Sequence, residues 1–191
     1  MGFKIKSPPK QILAVRGPLT RQWLLDQGIE CPEVYGDPAL LLPKFYLPKC
    51  KVNYRMVVIP HYIDVSNPIV EKIVKCENVK FIRINGYNDW HEFINNINEC
   101  DFVISSSLHG LIVSEAYKVP ALWVKFSGTT YADGWNFKFH DFYESIQKYS
   151  AQPLYVNNDT TMEELCFAAE RWVEGEINTE KLLEVCPFKN F

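Results

Sequence analysis

The chain has 191 residues, 47% of them hydrophobic, and a formal net charge of -3. That length suffices for one domain with a sizeable core. The mild acidity, with no lysine and arginine stripe, excludes the pattern that neutralises nucleic-acid backbones, so no nucleic-acid partner is expected.

The basic cluster Lys44, Lys49, Lys51 and Arg55 is small and reads as a solvated loop. Cys31, Cys50, Cys76, Cys100, Cys166 and Cys186 form no C-x-x-C pair and lack the compact spacing of a secreted disulfide framework. They read as reduced structural thiols. Met1 to Lys10 lacks the apolar core of a signal peptide, and no later run is long and apolar enough to span a bilayer. These features predict a cytoplasmic protein with no membrane span.

Apolar runs rich in Val, Ile and Phe alternate with helix-period segments, the signature of a parallel sheet. Gln11 to Arg16 is expected to form a strand, followed by Gly17-Pro18 and a helix over Leu19 to Gln27 that Gly28 stops. Val34-Tyr35 is a short strand leading into Gly36-Asp37-Pro38. There Asp37 can cap a brief helix, Ala39 to Leu42, that Pro43 ends.

Arg55 to Pro60 predicts a buried strand ending at His61-Tyr62, and Asn67-Pro68 caps a helix with Ile69, Ile73 and Val74 on one side. Val79 to Ile84 is the next strand. Asp89 and Glu92 suggest a capping box for a helix through Asn98, with Trp90, Phe93, Ile94 and Ile97 on its core face. Strands Phe102 to Ile104 and Ala121 to Val124 flank a serine turn and its helix. The βαβαβ order predicts an α/β doubly wound, Rossmann-like sheet spanning the chain as one domain, 1–191.

After Lys125 the alternation stops. A loop over Ser127 to Asn136 is followed by helical segments near Asp141 to Lys148, Thr161 to Glu174 and Thr179 to Val185, expected to pack back across the sheet. There is no internal repeat and no low-complexity tract.

Open parallel sheets bind ligands outside the carboxyl ends of their strands. That rule gathers Arg16, Asp37, His61, Tyr62, Asn85, Ser105, Ser106, Ser107, His109 and Lys125 along one edge. The stretch D-F-V-I-S-S-S-L-H-G-L-I-V-S-E-A-Y, Asp101 to Tyr117, is the densest part of it. A strand that empties through serines into a helix start aims unpaired N–H groups and the helix dipole at an anion. Two histidines, an arginine and a lysine suit a phosphate-bearing or dianionic ligand. Each residue also has a bland role: the serines and Asp37 as caps, His109 as a structural histidine, Arg16 paired to a surface carboxylate.

His61, His91, His109 and His140 lack ligand spacing, so no metal site is expected. The chain contains no G-x-G-x-x-G, no G-x-x-x-x-G-K-[ST] and no G-x-S-x-G, which argues against nicotinamide oxidation, P-loop phosphoryl transfer and a hydrolase nucleophile elbow.

The ordered string V-R-G-P-L-T (Val15 to Thr20), G-D-P-A-L-L-L-P (Gly36 to Pro43), I-P-H-Y (Ile59 to Tyr62) and S-S-S-L-H-G-L-I-V-S-E-A (Ser105 to Ala116) resembles the polysaccharide pyruvyl transferase family. P-A-L-W at Pro120 to Trp123 and F-K-F-H-D-F-Y-E-S at Phe137 to Ser145 extend the resemblance. It implies a bacterial transferase of exopolysaccharide biosynthesis that moves an enolpyruvyl unit from phosphoenolpyruvate onto a sugar or lipid-linked oligosaccharide and closes a cyclic ketal, with no further cofactor. It also implies one half of a glycosyltransferase-like (GT-B-like) pair of Rossmann-like domains, this chain matching the C-terminal half and the N-terminal half apparently absent. Self-association through the uncovered face is a corollary.

By that resemblance, Arg16 and the Leu108, His109 and Gly110 motif handle phosphoenolpyruvate, with His109 the acid or phosphate ligand and Arg16 the clamp. Ser105, Ser106 and Ser107 offer N–H donors, and Asp37, His61, Tyr62, Lys125 and Lys138 complete the substrate-binding set. Trp123, Tyr131 and Trp135 could stack on a sugar. Many family members carry arginine where Ser107 stands, so another cation, Arg16 or Lys125, has to meet the donor's charge. Two alternatives stay open: a glycosyltransferase-like domain binding a nucleotide-sugar diphosphate at the same helix start, and a truncated or accessory non-catalytic binding domain.

Overall fold

The computed structural model describes residues 5–85 and 89–188. In chain order these residues form α1 (Pro18–Leu25), a 3-10 helix (Pro38–Lys44), β1 (Tyr54–Ile59), α2 (Pro68–Ile73), β2 (Val79–Phe81), α3 (Trp90–Asn98), β3 (Cys100–Ser105), α4 (Leu108–Ala116), β4 (Ala121–Phe126), α5 (Phe137–Ser145), β5 (Leu154–Val156), α6 (Met162–Glu170) and α7 (Thr179–Glu184). The chain divides into two compact units. One comprises residues 1–41, 131–151 and 175–191, the other 42–130 and 152–174.

The second unit holds a five-stranded, all-parallel sheet in the order β2-β1-β3-β4-β5. With its flanking helices it is a doubly wound, Rossmann-like α/β arrangement, as the alternation of strand and helix signals predicts. Side chains alternate across the sheet because the strand period is two. Met56 and Val58 of β1, Phe102 and Ile104 of β3, Val124 and Phe126 of β4 and Val156 of β5 form one face and pack against α2 and α6. Ile59 and Ser105 belong to the alternate set and meet Gly110 of α4. Both faces are covered, which is why β1 reads as a continuous apolar run.

Caps fix the helix starts. Asn67 accepts the Ile69 N–H at 2.9 Å ahead of α2, and Asp89 accepts the His91 N–H at 3.0 Å ahead of α3. The reciprocal capping box sits on α6, where Thr161 Oγ1 accepts from the Glu164 N–H and Glu164 from the Thr161 N–H. The edge strand β5 went unpredicted: its three residues are too few to show a period, and two of them, Leu154 and Tyr155, are exposed.

In the first unit, the strand expected over Gln11 to Arg16 shrinks to an isolated parallel bridge between Val15 and Tyr35. Apolar residues there line no extended ladder, so period alone overstated it. The helix expected after Asp37 is a 3-10 turn running through Pro43 to Lys44. Proline fits there because its missing N–H and fixed φ cost little in so short a turn.

α1 starts at Pro18 with no cap from its own N-cap residue, Gly17. The fully buried Asp141 of α5 does that work: its carboxylate accepts the Thr20 N–H at 2.8 Å and the Thr20 hydroxyl at 2.6 Å. A carboxylate at a helix N-terminus is favoured by the dipole. The approach is so close that a Cβ on Gly17 would lie 1.8 Å from the Asp141 carbonyl oxygen.

Candidate functional site

In the sheet of the second unit, β1 has β2 on one side and β3 on the other, so the winding reverses between β1 and β3. Parallel sheets bind ligands at that reversal, outside the carboxyl ends of the strands. β1 ends there at Ile59, followed by Pro60, His61 and Tyr62, and β3 ends in Ser105, followed by Ser106 and Ser107.

The three serines are buried, and the hydroxyls of Ser105 and Ser106 are bound within the fold. Ser105 Oγ lies 2.7 Å from the Ile59 carbonyl and 2.8 Å from the Ser107 carbonyl, and accepts the Ser107 N–H at 3.0 Å. Ser106 Oγ donates to Asp64 Oδ2 at 2.6 Å and accepts the His61 N–H at 2.9 Å. Together they tie the loop after β1 to the turn after β3. Gly110 completes the turn, since a Cβ there would stand 2.5 Å from Ser105 Oγ. Leu108 is buried beside it.

Asp64 was missed at the sequence level. It lies five residues beyond β1, within no motif, yet it is fully buried and holds Ser106. A solitary aspartate in a loop gives no period or spacing to read.

His109 stands in the first turn of α4 and is exposed, unlike its neighbours Leu108 and Gly110. Its N-cap, Ser107, contributes no side-chain bond to the helix start. The first N–H groups of an α-helix have no intrahelical partner, so this end can meet an anion beside the imidazole. His109 also borders a cavity of about 270 Å³ between α3 and α4, whose remaining lining includes Ile84, Trp90, Phe93, Ile94 and Val113.

His61 is half-buried and packs on the ring of Tyr62 at 4.2 Å, while Tyr62 is 78% exposed. Lys125, near the end of β4, is buried with its ammonium 6.0 Å from the Tyr155 ring, and burial lowers its pKa.

The other predicted site residues belong to the first unit. Asp37 Oδ1 accepts the Ala39 N–H at 3.0 Å and so caps the 3-10 helix. Arg16 has a buried Nε with no hydrogen-bond partner. The Lys138 ammonium lies 4.2 Å from the Trp135 ring centroid and 5.3 Å from that of Phe139. Burial pushes the Lys138 pKa down, and the Arg16 guanidinium pushes it down further. Among the described residues neither cation forms an ion pair. Two unneutralised cations that feel one another are a receptive pair for a carboxylate or phosphate.

Among the described residues no group of three or more His, Cys, Asp or Glu side chains could hold a metal ion. No helix among them is long and apolar enough to cross a membrane.

The family described as polysaccharide pyruvyl transferase matches residues 4–127. The succinoglycan biosynthesis protein ExoV of Rhizobium meliloti is 29% identical over 136 residues, covering 68% of this chain and 40% of ExoV. An uncharacterised protein of Acanthamoeba polyphaga mimivirus is 30% identical over 112 residues, covering 56% of this chain and 38% of its own length. The chain therefore spans about two fifths of each of these relatives. No solved structure matches. The family match covers more than half of the chain, including β1 to β4 and the whole serine turn, and the chain belongs to the polysaccharide pyruvyl transferase family.

Proposed function

We propose that the chain takes part in pyruvyl transfer during polysaccharide biosynthesis, moving the enolpyruvyl group of phosphoenolpyruvate to a pair of sugar hydroxyls. The observation that carries this reading is the exposed imidazole of His109 in the open first turn of α4, beside the winding reversal of a sheet whose family transfers pyruvyl groups.

The chemistry asks for an acid and for anion ligands. Protonation of the donor's methylene carbon leaves a cationic centre at the adjacent carbon, which a sugar hydroxyl attacks. Phosphate then leaves with the C–O bond electrons, and the second hydroxyl closes the ketal. One pyruvate unit is gained and one phosphate released. Histidine suits the acid role because its ordinary pKa lies near neutrality. In the second unit the first-turn N–H groups of α4 hold one anionic group of the donor; by itself, the first unit offers Arg16 with Lys138 as a receptive pair for an anion. The serines act as the frame of the turn, since the Ser107 N–H is already bound to Ser105 Oγ.

The test is incubation with phosphoenolpyruvate and a sugar acceptor, reading phosphate release and acceptor mass together. His109→Ala is expected to abolish both signals, and a variant with full turnover would overturn the role. A thermal shift with phosphoenolpyruvate but none with a nucleoside diphosphate separates this reading from nucleotide-sugar binding, because only a ligand of the folded state raises its melting temperature.

A further inference from the structure

The cavity between α3 and α4 has an apolar lining that the proposed chemistry leaves unused. Phe93, Ile94 and Val113 are buried and form its apolar floor, while Trp90, 43% exposed, and His109 stand at its mouth. Among the described lining residues, the imidazole and the indole N–H are the polar side-chain groups. The mouth is held in place. Tyr46 packs edge-on against Trp90 with ring centroids 5.6 Å apart, and its hydroxyl donates to Asn95 at 2.7 Å. The Tyr117 hydroxyl in turn donates to the Tyr46 carbonyl at 2.8 Å.

Such a lining selects its occupant. A hydroxylated sugar pushed inside would lose its water without gaining partners, which is costly for every stranded hydroxyl. Hydrocarbon suffers no such loss. An apolar cavity of about 150 Å³ accommodates benzene, so one of about 270 Å³ has room for roughly ten carbon atoms.

We propose that this cavity seats the hydrocarbon chain of an amphiphile whose polar head remains at the mouth beside His109. The seat itself stands on the cavity. Only the identification of the amphiphile as an alkyl or polyprenyl glycoside acceptor rests on the transfer reading above. Trp90 and Ile84 are then specificity residues for the chain, and His109 faces the junction between chain and head.

The probe is n-octyl β-D-glucoside, kept below its micelle threshold and compared with methyl β-D-glucoside by calorimetric titration of the full chain. Each seated methylene adds about fourfold in affinity, so the octyl glycoside is expected to bind at least ~10-fold more tightly. Val113→Phe, which fills the floor, and Ile84→Trp, which narrows the mouth from a partly exposed position, are expected to erase that preference while circular dichroism stays unchanged.

Equal binding of the two glycosides overturns the proposal. So does an octyl preference indifferent to both substitutions, or chain-independent adsorption to phosphatidylcholine vesicles, which would make the surface a membrane contact. Because the assay uses neither donor nor turnover, a lost preference indicts the cavity alone. A retained preference without any transfer indicts the catalytic reading alone.

Discussion

Ser106 Oγ donates a 2.6 Å hydrogen bond to Asp64 Oδ2, joining a carboxylate with no solvent exposure to the turn that precedes α4. The same hydroxyl accepts the His61 N–H, so one side chain fixes both walls of the crevice between β1 and β3. Ser106→Ala strips a donor from a buried charge, and hydrogen bonds to charged groups contribute about 1.5–3 kcal/mol. A loss of about 2 kcal/mol is expected in urea unfolding, with an unchanged denaturant slope. Asp64→Asn keeps an acceptor at the same place and is expected to cost less. Equal stability of the Ser106 variant and the parent would show that the bond contributes nothing net.

Gly17→Ala tests the start of α1. Its new methyl group would fall 1.8 Å from a backbone carbonyl, which no rotamer change can relieve. Destabilisation of about 3 kcal/mol is expected, the upper end of what overpacking typically costs. Gly28→Ala is the contrasting case: nothing lies within 4 Å of its would-be Cβ, and only the strain of φ +73° opposes it. A Gly17 variant as stable as the Gly28 variant would refute the close approach.

Lys138 gives a pH signature. Its pKa in the fold lies below the ordinary 10.5, so on raising the pH the native chain surrenders this proton before the unfolded chain does. Between the two values the unfolded state binds more protons, and this residue's contribution makes the fold more stable with rising pH. Anion affinity moves the opposite way, because the ammonium is the binding form. Calorimetric titration with inorganic phosphate from about pH 7 to about pH 10 should show affinity falling before an ordinary lysine would titrate. Lys138→Arg should flatten the curve, and a flat curve for the parent would remove Lys138 from the anion site.

Cys100 and Cys76 predict a labelling contrast. Burial raises the Cys100 pKa to about 12, leaving almost no thiolate at neutral pH, whereas Cys76 is exposed. Under native conditions a thiol reagent should modify Cys76 and spare Cys100 until the chain unfolds. Equal rates would mean that the start of β3 opens far more readily than its packing suggests.

Much of the sheet was legible because β1, β3 and β4 are buried on both faces and so announce themselves as apolar runs. Asn67 and Asp89 were legible as caps for the same kind of reason: a cap is local, and its signal lies within a few residues. What escaped detection is long-range. Asp141 caps α1 from 121 positions away, and Asp64 reaches Ser106 across 42. The triple serine advertised a helix start, but whether its hydroxyls faced a ligand or the fold depended on Ile59 and Asp64, which sequence spacing does not link to it.

The first unit is assembled from three stretches separated by long excursions of the chain. On a ribosome, residues 1–41 must wait without their mates until residue 141 has emerged, because Thr20 has no other carboxylate bound to its N–H. Closing such a long loop is an entropic toll that short-range helices never meet. A nascent fragment ending near residue 130 would thus carry every strand from β1 to β4 and still leave α1 without its anchor.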